Sequence, residues 1–284
     1  MRHKILLPTD FSKNSIRAIN YARELYKNDH CDFYVLNAFS PPLGVLSSLM
    51  QSKPGDELYE AAKLDSENGL AKVFDVITLN DNFNSKHSFE VVSSYNTVVD
   101  AINTVVAEKD IEMVVMGTKG ETNAVYEPFG SAAVNVMEKV RHCPVIVVPN
   151  SAKLEMPKEI VFPTSYKSHY KRRELVYLTR IALACNSTIA VLHVLKQEGL
   201  DKGQEDNKEL LQEILKGTDY RFHNIVNDSV MSTVSVFVQS RSSGMVAFIN
   251  KKHTFFSSML TNPMVKQISF HLDVPILALH DLRN

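Results

Sequence analysis

Short apolar runs alternate with longer segments of helical periodicity along the first half of the chain. Apolar runs bounded by turn residues are typical of buried strands, and apolar residues that recur every three or four positions indicate an amphipathic helix. Strands are predicted at about 3–7, 32–39, 88–92, 111–116 and 144–148. Helices are predicted between them at about 12–27, 57–79, 97–109 and 131–139. This alternation predicts an α/β fold, in which helices cover both faces of a parallel sheet.

The apolar pattern returns in the second half, after a short polar linker at 150–158. Three segments of the first half, 5–10, 34–37 and 143–148, are repeated at 160–165, 190–193 and 274–279. The second copy is shorter, mainly between its second and third strands, where the first copy has the helix at 57–79. Repetition of one α/β pattern predicts two tandem domains of the same fold, at 1–150 and 151–284.

The segment 114–132 carries the pattern with the clearest chemical content. Gly117 ends a predicted strand, Gly120 follows in the turn, and Gly130-Ser131 begins a helix. Glycine lets the backbone approach an anion closely, and the first N–H groups of a helix have no partner within the helix. The segment therefore predicts a phosphate-binding site. The alternative is that the glycines allow tight turns or close packing, and that Ser131 only caps the helix.

Composition narrows the class of protein. A hydrophobic content of 44% is enough to form a core and excludes a wholly disordered chain. No apolar run approaches the roughly 18 residues of a membrane-spanning helix, and the first apolar run ends at Pro8, unlike a secretory signal. The three cysteines are far apart and lack a metal-binding spacing. We therefore expect a protein of a reducing compartment, the cytoplasm, that makes no contact with a membrane.

Charge is distributed unevenly between the two halves. Residues 1–150 contain 14 Lys and Arg against 19 Asp and Glu, whereas residues 151–284 contain 17 against 13. This difference favours a pairing of two oppositely charged halves within one chain. The basic residues form only short clusters, so a nucleic-acid partner is not expected.

Taken in order, three motifs resemble the universal stress protein family in its tandem form. They are the Pro-Thr-Asp opening at 8–10, the spacing Gly117-x2-Gly120-x9-Gly130-Ser131, and the Cys-Pro-Val-Ile-Val-Val-Pro segment at 143–149. The resemblance implies two open, Rossmann-like five-stranded sheets of strand order 3-2-1-4-5. It also implies that ATP or another adenine nucleotide binds at the carboxyl ends of strands one and four, and that the fifth strands of the two domains pair.

The same resemblance implies a set of binding residues in the first domain. Asp10 would contact the adenosine, Ala38 would line the adenine pocket, and the glycines with Ser131 would surround the phosphates. Lys119 could pair with phosphate, or merely with Glu121 or Glu127. The full implied set is Pro8, Thr9, Asp10, Ala38, Met116, Gly117, Lys119, Gly120, Gly130, Ser131 and Ala132.

Two features depart from the family pattern. Glu121 and Glu127 lie within the expected phosphate loop, where carboxylates repel a polyphosphate unless they point away or share a divalent cation such as Mg²⁺. In the second copy, Asp10 is replaced by Ser165, Gly117 is matched with Asn250 and Gly120 with His253, and the third glycine is lost within 261–263. We therefore expect a degenerate second domain that binds no nucleotide.

These patterns predict a stress-response protein that binds adenine nucleotide and acts as a sensor or adaptor. No catalytic residue is identified, because no general base is recognisable beside the expected phosphates. One alternative is a scaffold that needs no nucleotide and presents the segment 40–55 and the region around Phe255 to a protein partner. Another is a slow ATPase. The protein partner and the formation of a homodimer of whole chains stay open.

Overall fold

A computed structural model describes residues 2–40, 54–79, 84–118, 130–195, 199–250 and 272–280. The first half contains β1 (His3–Pro8), α1 (Lys13–Leu25), β2 (Cys31–Phe39), α2 (Glu57–Thr78), β3 (His87–Tyr95), α3 (Val98–Lys109), β4 (Met113–Gly117), α4 (Ser131–Lys139) and β5 (Val145–Val148). The second half contains β6 (Glu159–Thr164), α5 (Arg172–Cys185), β7 (Thr188–Leu195), α6 (Lys202–Leu215), β8 (Asp219–Val226), α7 (Val230–Arg241), β9 (Met245–Asn250) and β10 (Ile276–His280). The predicted α/β fold is confirmed.

The strands form one ten-stranded sheet in the order β3-β2-β1-β4-β5-β10-β9-β6-β7-β8. Each half of this sheet has the expected order 3-2-1-4-5, and its neighbouring strands are parallel. The two halves meet where β5 and β10 pair antiparallel, with Val147 opposite Ile276 and Val145 opposite Ala278. The second half is shorter between its second and third strands, as expected, because residues 196–218 replace the longer connection 40–86.

Strand register corrects the matching of the two copies at their fourth strands. Met113 lies opposite Ile5 in the first half, and Met245 lies opposite the equivalent Ile160 in the second. Gly117 therefore corresponds to Ile249, and Asn250 corresponds to Thr118. The expected match of Gly117 with Asn250 is wrong by one residue, because β9 continues one residue further than β4 without a turn residue to mark the difference.

Helices cover both faces of the sheet, as the unbroken apolar strands require. Ile5, Leu6 and Leu7 of β1 are all fully buried, so side chains on both faces of this strand lie in the core. One face packs against α1, α2, α5 and α6, and the other packs against α3, α4 and α7. No helix in the described part of the chain is long and apolar enough to cross a membrane.

Candidate functional site

A cleft of about 260 Å³ opens in the first half, at the carboxyl ends of β1, β2 and β4. Strand order reverses between β1 and β4, and open α/β sheets bind ligands at such a switch point. The start of α4 forms the opposite wall. The cleft is lined by Pro8, Thr9, Asp10, Ser15, Leu36, Ala38, Val98, Met116, Gly117, Thr118, Ser131, Ala132 and Ala133.

Most of the residues expected to bind a ligand meet in this cleft. They are Pro8, Thr9, Asp10, Ala38, Met116, Gly117, Ser131 and Ala132. Gly130 immediately precedes α4 as its N-cap residue. Lys119 and Gly120 lie outside the described residues, as do Glu121 and Glu127.

The sequence did not indicate five further lining residues. Leu36 lies two residues before the expected Ala38, and Thr118 directly follows the expected Gly117. The predicted strand ends therefore located the region of both residues. Ser15 and Val98 lie in the first turns of α1 and α3, and Ala133 lies in the first turn of α4. Helices that follow strands at the carboxyl edge begin beside the cleft, and this rule could have identified them.

Asp10 takes part in a turn that leads into α1. Its Oδ1 accepts hydrogen bonds from the Ser12 amide at 3.1 Å and from Ser12 Oγ at 2.6 Å. Ser12 in turn caps α1, because its Oγ accepts from the Ser15 amide at 3.2 Å. Asp10 itself is exposed at the cleft. These bonds explain an aspartate here without a ligand, and they use only one of its two oxygens.

Thr9 is held from three directions. Its Oγ1 lies 2.9 Å from Ser15 Oγ and accepts a hydrogen bond from the Phe11 amide at 3.0 Å. Its carbonyl oxygen accepts from Asn37 Nδ2 at 2.7 Å. Phe11 has a φ of 67°, in the left-handed region, so the chain turns sharply after Asp10. This network fixes the backbone that presents Asp10 to the cleft.

The end of β4 is tied directly to the start of α4. Gly130 N donates a 2.7 Å hydrogen bond to the carbonyl oxygen of Thr118, so the two ends of the segment 119–129 meet. Thr118 is itself anchored, because its amide donates to the Val148 carbonyl at 3.2 Å. The described residues on either side of this segment, Thr118 and Gly130, are therefore fixed together beside the cleft.

The first turn of α4 has the character of an anion site. Gly130 provides no side-chain cap, and Ser131 and Ala132 are exposed at the cleft. The first amide groups of a helix lack partners within the helix, and the helix dipole gives this end a partial positive charge. Gly130 has φ −70° and ψ 154°, which any residue adopts, so its backbone conformation does not require glycine.

Close packing accounts for Gly117. A Cβ atom at this position would lie 2.6 Å from Asn14 Oδ1 and 3.1 Å from the backbone carbon of Asn14. Asn14 Nδ2 donates to the Val148 carbonyl at 3.2 Å, so this side chain is held in place between strands. Gly117 thus allows α1 to approach β4, whether or not a ligand is bound.

The second half has a different arrangement at the equivalent strand end. Thr164 Oγ1 accepts from the Tyr166 amide at 3.1 Å, as Thr9 does from Phe11, and His193 replaces Asn37 at the Thr164 carbonyl. However, Tyr170 occupies the position of Ser15, and its hydroxyl hydrogen-bonds to Thr164 Oγ1. Burial raises the pKa of Tyr170 to about 12. A buried phenol ring therefore replaces the small hydroxyl that lines the first cleft.

Within the described ranges, no group of three or more His, Cys, Asp or Glu side chains is placed to hold a metal ion. Glu121 and Glu127, which would repel phosphates unless they point away or share a divalent cation such as Mg²⁺, lie outside those ranges. The chemistry that the described cleft supports is therefore recognition through apolar contact, hydroxyl groups, one carboxylate and helix amides.

The sheet order and the cleft at its switch point define a Rossmann-like α/β protein with a cleft at the carboxyl edge of its sheet. Residues 1–149 match the model of the universal stress protein family. The chain belongs to the universal stress protein family. A comparison with curated protein sequences gives no significant match.

Solved structures share this fold over nearly the whole chain. A universal stress protein from Archaeoglobus fulgidus DSM 4304 is 14% identical with a TM-score of 0.69, over 97% of this chain and 95% of that chain. A protein of unknown function from Pseudomonas aeruginosa PAO1 is 11% identical with a TM-score of 0.55, over 99% and 93%. The cytoplasmic domain of a prokaryotic cation chloride cotransporter is 7% identical with a TM-score of 0.50, over 98% and 95%. Such low identities show the shared fold alone, and a fold does not determine function.

Proposed function

We propose that the first half binds ATP or another adenine nucleotide and that the chain acts as a nucleotide-dependent sensor or adaptor in the stress response. The observation that carries this proposal is the cleft where the first turn of α4, which has no side-chain cap, faces an apolar wall. Membership of the universal stress protein family supports the stress-response role.

The apolar wall suits a nucleobase. Leu36, Ala38 and Met116 line one part of the cleft, and Val98 of α3 adds a further aliphatic side chain. Leu36 is 1% exposed and Met116 is 7% exposed, so the wall belongs to the packed core and is preformed. Ligand pockets typically combine such a wall with a few placed polar groups. Here Asp10 and Thr9 supply those groups beside the proposed adenosine.

The phosphates would lie at the start of α4. The amides of Ser131 and Ala132 and the partial positive charge of the helix N-terminus favour an anion there. The residues that we propose to bind the phosphates also include Gly117, Lys119, Gly120 and Gly130. Mg²⁺ bound with ATP would offset repulsion between the phosphates and the carboxylates of the loop.

The second half serves as a partner domain in this proposal. Residues 1–150 form the nucleotide domain, and residues 151–284 form a degenerate copy in which Tyr170 fills the space next to Thr164. The antiparallel pair of β5 and β10 joins the halves into one working unit. We place this unit in the cytoplasm, where a protein partner would receive its signal.

A matched pair of substitutions at Gly130 tests the phosphate site. Both Gly130→Asp and Gly130→Asn introduce a good helix N-cap of similar size, and the local φ and ψ accept either residue. Only the aspartate places a negative charge where the phosphates would bind. We expect wild type to bind ATP in a calorimetric titration, and Gly130→Asp to bind at least about tenfold more weakly than Gly130→Asn. Wild type that neither binds adenine nucleotide nor retains it through purification would overturn the proposal.

A scaffold that needs no nucleotide is the second candidate. It is favoured by the structural roles of Asp10, which orders the start of α1, and of Gly117, which accommodates Asn14. The two surfaces that such a scaffold would present to a partner, 40–55 and the region of Phe255, lie mostly or entirely outside the described residues. Saturating ATP that leaves the thermal stability of wild type unchanged would favour this candidate, since a ligand that binds the native state raises its stability.

A slow ATPase is the remaining alternative. It predicts phosphate release from ATP that depends on Asp10, the carboxylate exposed at the cleft. Release above background that disappears in Asp10→Ala would support hydrolysis, and background release alone would leave binding as the function.

A further inference from the structure

Helix α2 is the longest helix described, yet it buries few side chains. Of its 22 residues, only Ser66, Leu70, Val73 and Ile77 are buried, and they form a narrow stripe against the sheet. Several large apolar side chains are exposed instead. Leu58 is 52% exposed, Val76 is 56% exposed, and Leu79 at the C-cap is 78% exposed. Most helices of globular proteins bury a wider apolar face than this one.

Three of the exposed apolar residues, Leu58, Val76 and Leu79, lie on one side of α2 in a heptad pattern, whereas the exposed Leu64 and Phe74 lie on other sides of the helix. Positions separated alternately by four and three residues lie along one face of a helix and form the contact line of coiled coils. This contact line consists of Leu58, Ala62, Asp65, Gly69, Lys72, Val76 and Leu79. Its apolar members lie near the two ends, and its two charged members lie near the centre.

The contact line borders a groove of about 560 Å³ between α1 and α2. Phe11 and Ile16 form the α1 side, and Asp65, Gly69, Lys72 and Val76 form the α2 side. The ring of Phe11 lies against Gly69, where an added Cβ would be 2.4 Å from the ring. The groove thus has an apolar floor with one acidic and one basic side chain at its rim.

We propose that a second copy of this chain occupies the groove, with its own α2 packed antiparallel against the first. A two-fold axis beside Asn68 and Gly69 places Asp65 opposite the partner's Lys72, and Lys72 opposite the partner's Asp65. The same axis places Leu58 opposite the partner's Leu79. Every charge on the contact line then meets its opposite, and the apolar ends meet each other.

The charge pattern selects this arrangement over the others. In a parallel pair, Asp65 would face the partner's Asp65 and Lys72 would face the partner's Lys72, and like charges in contact disfavour association. Two-fold symmetry requires a self-complementary surface, and the antiparallel contact line of α2 has that property. The interface is independent of the proposed nucleotide site, because the cleft is lined by other residues.

Charge reversal provides a test that distinguishes self-association from every other occupant. Sedimentation velocity of the full chain over a wide concentration range is expected to show a monomer–dimer equilibrium. Asp65→Lys and Lys72→Asp each place like charges at both symmetric contacts, so each should raise the dimer dissociation constant at least about tenfold. The double variant Asp65→Lys/Lys72→Asp restores opposite charges and should regain the wild-type constant. Both residues are exposed, so the monomer fold should be unaffected.

Mixing the two single variants sharpens the test. A chain with Asp65→Lys carries two positive charges on the contact line, and a chain with Lys72→Asp carries two negative ones. The mixture should therefore form heterodimers more tightly than either variant self-associates. Glu67→Lys, an exposed change on the far side of α2, is the matched control and should leave the dissociation constant unchanged.

Three results would overturn the proposal. Wild type that remains monomeric at all concentrations would show that another occupant, such as the chain's own segment 41–53 or a different protein, belongs in the groove. A dimer insensitive to both single reversals would place its interface elsewhere. A double variant that fails to recover association, with circular dichroism and melting temperature like wild type, would exclude the antiparallel pairing.

Discussion

Asn14 of α1 lies so close to Gly117 of β4 that a single methyl group at position 117 would stand 2.6 Å from the Asn14 Oδ1 atom. The same Oδ1 accepts a 3.2 Å hydrogen bond from Thr118 Oγ1. One asparagine therefore joins α1 to the end of β4 at the edge of the candidate cleft. Gly117 is needed for this contact even before a ligand is considered.

Gly117→Ala should destabilise the protein through this contact. Added volume at a tightly packed site costs roughly 1–3 kcal/mol, because neighbouring groups must shift. Asn14→Ala removes the 2.6 Å contact with Oδ1, while the 3.1 Å contact with the backbone carbon of residue 14 remains. The double variant should therefore lose less stability than the two single losses added together, as measured by urea denaturation. Strictly additive losses would show that the Asn14 side chain is not the obstacle.

The effect of Gly69→Ala on the stability of the protein should change sign with the side chain at residue 11. Alanine in a helix interior is favoured over glycine by about 1 kcal/mol, but a Cβ at position 69 would lie 2.4 Å from the Phe11 ring. We expect Gly69→Ala to destabilise wild type and to stabilise a Phe11→Ala background. The midpoints of thermal unfolding of the four proteins test this. The same sign in both backgrounds would contradict the prediction.

The sequence predicts the fold better than the details of the cleft. The helix at Ser131–Lys139 is found with the predicted bounds, because the glycine-serine start and the apolar spacing both mark it. The match of Gly117 with Asn250 failed because only hydrogen bonding between strands sets the register of β9. Ser15 and Val98 were missed because the motifs mark strand ends and the glycine spacing, whereas these two residues lie in the first turns of the helices that follow β1 and β3.

The burial of Tyr170, which fills the space beside Thr164 at the end of β6, also could not be predicted from the sequence. Tyr170 lies at the position equivalent to Ser15, yet a tyrosine in a polar stretch carries no sign that its ring will be buried. The loss of the aspartate at Ser165 was visible in the sequence and pointed to a degenerate copy. The structure adds a physical reason why the second copy lacks an equivalent cleft. The phenol ring of Tyr170 packs beside the Phe162 ring, with 6.4 Å between the two ring centroids.

Tyr170→Phe should lower stability at neutral pH and reduce the loss of stability in alkali. The first effect is the loss of the hydrogen bond to Thr164, worth about 1 kcal/mol. The second follows because burial raises the pKa of Tyr170 from 10 to about 12. The contribution of Tyr170 to the free energy of unfolding is complete below pH 10. It is lost as pH rises toward 12, because the tyrosine ionises at lower pH in the unfolded chain than in the folded protein. Urea denaturation at pH 8 and pH 11 measures both effects, and an unchanged alkaline slope would contradict the second.

His280 should make the paired sheet sensitive to acid. Its side chain is 2% exposed at the end of β10, and neither ring nitrogen has a hydrogen-bond partner among the described residues. Burial, with a smaller contribution from the nearby charge of Arg141, lowers the pKa of His280 from 6.5 to about 3. The folded state therefore holds a neutral ring that the unfolded chain would protonate.

The sign of the effect follows from this depressed pKa. Stability from His280 is complete above pH 6.5 and is lost progressively as pH falls toward 3. At pH 5 the expected loss from this residue is about 2 kcal/mol relative to pH 7.5. His280→Leu should remove that part of the acid slope in urea denaturation. The burial of His87, His193 and His223 also lowers their pKa values, so part of the slope should remain.

An exposed histidine gives the matched control for this change. His30→Gln alters one histidine at the surface and should leave the acid slope of wild type in place. Because β10 lies between β5 and β9, and His280 itself pairs with Asn250 of β9, protonation of His280 should weaken the pairing of β10 with its neighbouring strands. Hydrogen exchange at pH 5 should therefore show earlier opening of the amides of Ile276–His280 in wild type than in His280→Leu. Equal protection in the two proteins would show that the buried imidazole does not control this pairing.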